Sequence, residues 1–204
     1  FKISCSGETI TLTDPLGTII DQLSAVSIPS NYSYGINTSG SYSFYSLATP
    51  GAINSTQSYT EILSDPVFSV NSGFYSHEFS LNITHEDPAV IILYSIDGSE
   101  PNLENLNGKT YFYKNGYQEF PENPDGTLIE NKFETLNYTA PLEINDRTPL
   151  PNKISIIPKA FFNYQYYIPT APILKGTVIR AKVLKDGALS SKTITKNYYI
   201  TPQA

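Results

Sequence analysis

Polar and apolar positions alternate along much of this chain, with the period of two that belongs to half-buried strands. Glu8-Thr9-Ile10-Thr11-Leu12 alternates, Asp14-Pro15-Leu16-Gly17 has the make-up of a turn, and Thr18-Ile19-Ile20-Asp21 resumes extended chain. Together they predict a β-hairpin. Two more strands are predicted over Tyr32 to Gly35 and Ser41 to Ser46, and Thr49-Pro50-Gly51 closes this run. A second series begins at Pro66-Val67-Phe68. In it Phe79, Leu81 and Ile83 share one face of the stretch Glu78 to Thr84, and Val90 to Tyr94 is almost continuously apolar. Such a run predicts a strand in mid-sheet with both faces buried. Ile154 to Ile157, Thr177 to Leu184 and Lys192 to Ile200 complete the series, the last two as an antiparallel hairpin across Asp186-Gly187. Phe79, Leu81, Ile83, Ile91, Leu93, Ile156, Ile179, Ala181 and Val183 are expected inside. Residues 99 to 150 read as irregular chain. No segment carries a convincing 3.6-residue period, and the nearest approach is one turn over Ser58 to Leu63.

Composition points the same way. The 204 residues include 16 Tyr and 10 Phe but no Trp or Met, and 15 Pro and 12 Gly punctuate the chain. Aromatic and β-branched side chains suit a pleated, half-buried surface, and Pro and Gly at this density interrupt helices. The fold class is therefore all-β. At 40% hydrophobic and 16% charged, the chain is too apolar to be disordered. No run reaches the ~18 apolar residues of a membrane-spanning helix, so no membrane span is expected. The net charge of −6 argues against nucleic acid, which wants a basic surface.

That charge is unevenly spread. Asp97 to Arg147 holds four basic and ten acidic residues, whereas Thr148 to the end holds eight basic and one acidic. An acidic insertion lying near basic strands is expected, with exposed pairs worth ~0–1 kcal/mol each. Its ligand spacing is not that of a known calcium loop.

The search for chemistry is mostly negative. His77 and His85 are the only histidines and lie at predicted strand ends, without the His-Glu-x-x-His zinc spacing. A nucleophile elbow and a Gly-rich phosphate loop are both lacking. Cys5 is the single cysteine, which excludes an internal disulfide framework and a Cys-based zinc site. Five Asn-x-Ser/Thr sequons occur, at Asn31, Asn37, Asn54, Asn82 and Asn137, in a chain rich enough in these residues to produce several by chance. One cluster stands out: Phe161, Phe162, Tyr164, Tyr166 and Tyr167 crowd a Pro-flanked segment. Rings on a rigid β scaffold can stack on sugars or anchor a partner protein. This cluster is the candidate ligand site. No catalytic residue, cofactor or metal is expected.

Two resemblances cover nearly the whole chain. Phe1-Lys2-Ile3-Ser4, Gly7 to Leu12, Asp14, Gly17, Asp21, Pro29, Ser33-Tyr34-Gly35 and the closing Thr49-Pro50-Gly51-Ala52-x-Asn54 resemble the second half of a lamin-tail domain. The early strands of that family are missing, which implies a domain cut or clipped inside its sandwich. Gly73-Phe74-Tyr75, Ile92-x-Tyr94-Ser95-x-Asp97-Gly98-Ser99-x-Pro101, Tyr138-Thr139-x-Pro141-Leu142 and Gly176 to Ala181 resemble the C-terminal module of chitobiases and β-hexosaminidases. Its long insertions are similar to those of bacterial surface proteins of the spore-coat-protein-H (CotH) type, which string both modules before a kinase-like domain.

The resemblances imply two tandem immunoglobulin-like β-sandwich modules, the first incomplete. The expected boundaries are residues 1–57, a linker over 58–65, and 66–204 with insertions over about 102–137 and 146–174. The implied role is non-catalytic, an accessory, structural or adhesion part of a larger secreted or cell-surface bacterial protein. Expected partners are domains of the same polypeptide or cell-surface proteins. A carbohydrate-binding module using the aromatic cluster, with glycans as partners, is the alternative.

Overall fold

The computed structural model describes residues 3–4, 6–54, 57–114, 121–122, 126–152 and 171–202. The chain divides into two compact units, Phe1–Ile62 with Asp186–Leu189, and Leu63–Lys185 with Ser190–Ala204. Apart from one 3-10 turn at Leu103–Asn105, every regular element among the described residues is a strand. The protein is all-β.

The first unit holds the expected hairpin, β1 (Ile10–Thr13) and β2 (Ile19–Leu23), paired antiparallel with a register shift between Leu12 and Thr13. Asp14 sets the turn. Its Oδ1 accepts the N–H groups of Leu16 (2.9 Å) and Thr18 (2.8 Å), and Gly17 supplies a φ of +87°, which a side chain would resist. Bonds to Thr18 and Leu16 hold the Asp14 carboxyl below its ordinary value.

A second, three-stranded sheet follows, in the order β3 (Ser33–Ile36), β4 (Tyr42–Tyr45), β5 (Ser58–Tyr59). Ser43, Phe44 and Tyr45 are buried in succession, so β4 is covered on both faces. Asn54 braces this sheet: its Nδ2 donates to Ile36 O (2.8 Å) and its Oδ1 accepts the Thr49 hydroxyl (2.8 Å). Ser58 to Leu63 holds no helical turn. Its residues form β5 and then β6 (Glu61–Ile62). Long-range pairing decides this stretch, because β5 joins β4 and β6 runs parallel to Ala188–Leu189.

The second unit contains β7 (Val67–Phe68), β8 (Gly73–Tyr75), β9 (Phe79–Leu81), β10 (Ile83–Thr84), β11 (Ile91–Ser95), β12 (Lys109–Lys114), β13 (Leu128–Phe133), β14 (Leu136–Asn137), β15 (Leu142–Ile144) and β16 (Thr177–Leu184). After β17 (Ala188–Leu189), which belongs with the first unit, comes β18 (Ile194–Ile200). The main sheet has five strands in the order β14-β11-β16-β18-β8, all antiparallel except β18 with β8. β16 and β18 pair as expected, but their ladder ends at Ala181 and Ile194, so the connection is a broad loop with Asp186-Gly187 as its turn.

The strand over the stretch Glu78 to Thr84 is interrupted at Asn82, whose N–H bonds the Ser69 hydroxyl (2.9 Å). β9 therefore pairs with β15, and β10 with β7. Leu81, Ile83 and Ile144 from these short strands meet Ile179, Ala181, Tyr198 and Ile200 of the main sheet in one core.

β11 lies between β14 and β16, as its apolar run required. Ile92 and Tyr94 pack on the core. Leu93 and Ser95 point to the opposite face and are also fully buried. Loop 98–100 is fastened on that face. Ser95 Oγ donates to Ser99 O (2.6 Å), and Arg180, opposite Ser95 in the ladder, reaches Gly98 O (2.9 Å) and Glu100 (2.6 Å). Of the expected core residues, Ile91 is a correction. It pairs with Leu184 at the far end of the ladder, where it stays 50% exposed. Phe79 is half-buried at the core's rim. Ile156, with the strand Ile154 to Ile157, lies outside the described residues.

Candidate functional site

Phe161, Phe162, Tyr164, Tyr166 and Tyr167 lie outside the described residues, as does Cys5. The structure instead brings forward an aromatic hairpin inside the stretch that reads as irregular. β12 and β13 pair over six residues each, with Tyr111 opposite Asn131 and Lys109 opposite Phe133. Odd-numbered residues therefore share one face. On it Tyr111 lies 6.1 Å from the Tyr113 ring and 6.0 Å from Phe133, a row of three rings. The run of three aromatics Tyr111-Phe112-Tyr113 was the available signal. The Asn, Gly and Glu residues around it masked the period.

This hairpin borders a cleft of ≈ 930 Å³ within the second unit. Tyr111 and Phe133 form one wall, Ile96 and Asp97 lie at the end of β11, and Arg147 and Lys175 also line it, far apart in sequence. The polar groups differ in how far they are committed. Burial pushes the Asp97 carboxyl up, but bonds from the Ser99 hydroxyl and N–H and from the Glu134 N–H outweigh it and hold the group below its ordinary value. Lys132 pairs with Glu134 at 2.8 Å. Lys175 Nζ donates to Thr148 O (3.0 Å) and Ile173 O (3.1 Å). Among the described residues Arg147 makes one hydrogen bond, from Nη1 to Gly176 O (3.3 Å). The cleft thus offers ring faces, hydroxyls and an underused guanidinium.

The two histidines sit in separate local hydrogen-bond networks. His77 Nδ1 bonds the hydroxyl of its neighbour Ser76 (2.8 Å). His85 Nε2 lies 2.8 Å from Ser64 Oγ, a pairing that resembles a nucleophile and its base. The proton directions argue otherwise. The Asp87 N–H donates to Nδ1 (3.1 Å), which leaves the imidazole hydrogen on Nε2, facing Ser64. Ser64 then donates its own hydrogen to Glu86 (2.8 Å). A ring nitrogen that carries hydrogen cannot take the serine proton. The Asp87 carboxylate is held by Lys185 (2.9 Å) and the Ala89 N–H, not by the imidazole. The chain of bonds fastens residue 64 to the 85–87 turn.

The acidic stretch does meet basic strands. Glu100 takes Arg180 at 2.6 Å and Lys182 at 3.9 Å, and accepts the Thr193 hydroxyl. Among the described residues no group of three or more His, Cys, Asp or Glu side chains is placed to hold a metal ion. Among them, too, no helix is long and apolar enough to cross a membrane. Comparison with known proteins found no matching family model, no matching curated protein and no matching solved structure.

Proposed function

We propose that this chain is a non-catalytic accessory module, a β scaffold that docks other parts of a secreted or surface-attached bacterial polypeptide, or neighbouring cell-surface proteins. The observation that carries the reading is the hairpin β1–β2. Among the described residues it forms a sheet of two strands, yet it exposes Leu12 (59%), Ile19 and Ile20 (64%). A two-stranded ribbon is marginal in water by itself, and uncovered apolar residues on open strand edges favour association. The lamin-tail resemblance supplies a natural occupant, further strands of the same sandwich. The test is charge substitution in the larger polypeptide. Leu12→Lys with Ile20→Lys is expected to lower its unfolding free energy by about 1–3 kcal/mol, while the isolated chain changes by less than about 0.5 kcal/mol. Equal, small effects in both contradict the docking role.

A second reading, carbohydrate binding, is favoured by the ring row beside the cleft. A glycan array probed with this chain and with its Tyr111→Ala, Phe133→Ala and Tyr164→Ala variants tests it. Binding that one of these variants abolishes supports the reading, and no binding anywhere ends it.

A further inference from the structure

We infer that the cleft beside β12 and β13 takes a carbohydrate chain bearing carboxylate groups, an inference that rests on the carbohydrate-binding reading above. Three features of the cleft combine. The first is a ring wall. Tyr111 is 40% exposed and stands 6.0 Å from Phe133 on the same hairpin face. Such faces take the C–H surface of a sugar ring, and the antiparallel ladder holds both rings at fixed spacing. The second is a free donor. Asn131 Nδ2 donates to the Tyr111 hydroxyl (2.8 Å), and Asn131 Oδ1 accepts the Lys132 N–H (3.0 Å). The Tyr111 oxygen is therefore an acceptor, and its hydrogen remains available to a ligand oxygen.

The third feature is charge. Both carboxylates in the lining are spent, Asp97 on Ser99 and the Glu134 N–H, and Glu134 on Lys132. Lys175 is turned to two carbonyl oxygens and also bears on the nearby Asp146 carboxylate. Arg147 is left with one carbonyl contact and no carboxylate partner among the described residues. A guanidinium with open donors matches a carboxylate in a two-point bond, which gives direction as well as strength. Neutral sugars would use the rings and leave that group idle. The cleft, at ≈ 930 Å³, is large enough for more than a single small group.

The test is calorimetric titration of this chain with an α-linked galacturonate hexamer and with its methyl ester, which has the same sugars without the charge. The acid form is expected to bind at least about tenfold more tightly than the ester. Arg147→Gln should bring the two to parity. Tyr111→Ala should weaken both, with an unchanged circular dichroism spectrum showing that the hairpin survives. Tyr111→Phe, which keeps the ring, should weaken both less. Equal binding of acid and ester by the unaltered chain overturns the charge inference but leaves carbohydrate binding standing. Binding of neither overturns both, and binding indifferent to Arg147 and Tyr111 overturns the assignment to this cleft.

Discussion

Tyr198 shows how one residue ties several parts of the second unit together. Its ring is 1% exposed, packs edge-on against Phe79 at 5.5 Å, and sends its hydroxyl to Val70 O at 2.9 Å. Burial pushes the phenol up to about 12. The folded state therefore keeps a proton that the unfolded state releases above the ordinary value of 10.0. Stability from this group is complete below that value and is lost as pH rises through the folded one. Tyr198→Phe should reduce the alkaline loss of stability, measured by urea unfolding between pH 9 and about pH 11, at a cost of about 1 kcal/mol at neutral pH for the lost bond. A steep alkaline loss that persists in the variant contradicts the assignment. Ile179 is a simpler case, fully buried in the same core. Ile179→Ala should cost about 2–5 kcal/mol in the same assay, and a cost below about 1 kcal/mol would place it outside the core. At acid pH the sign reverses. Asp97, Asp87 and Asp146 are all lowered from 3.8. Their contribution is present above that pH and is lost as pH falls through the lower folded values.

At the level of elements, Glu100 carries ion pairs from the acidic stretch to the main sheet. It reaches Arg180 and Lys182 on β16 and Thr193 just before β18. Glu100 is half exposed, so Glu100→Gln is expected to cost no more than about 1 kcal/mol and to lose its effect in high salt. A large, salt-insensitive cost would mean that the loop is held mainly by this pair. The legibility of the elements follows from where their information lies. β11, β16 and β18 were readable because local alternation or an apolar run matches their burial, and β1 and β2 because extended chain flanks the turn Asp14 to Gly17, although their apolar residues stay exposed. β5 and β6 were not, because their partners are β4 and the distant β17, and two residues carry no period. The candidate site divides in the same way. A dense run of rings over 161–167 draws the eye, whereas Tyr111 and Phe133 come together only through the ladder. Arg147 and Lys175 are separated by 27 intervening residues, and folding alone brings them to one cleft.

At the scale of the molecule, the two units are built to different standards. The second closes a core of fully buried side chains between its main sheet and its short strands. The first keeps Phe44 and Tyr45 covered but leaves β1 and β2 as a ribbon with apolar residues in water. That contrast is the physical basis for reading the chain as a docking scaffold, since a surface of this kind gains most from being covered. Amide hydrogen exchange tests the claim directly, comparing the isolated chain with the same chain in the polypeptide taken from its native source. In isolation, Ile10–Thr13 and Ile19–Leu23 should exchange rapidly while Thr177–Leu184 and Ile194–Ile200 exchange slowly. In the native polypeptide the amides of the first hairpin should slow by about a hundredfold or more, as opening there becomes a larger event. Equal exchange of this hairpin in both settings would contradict the docking account.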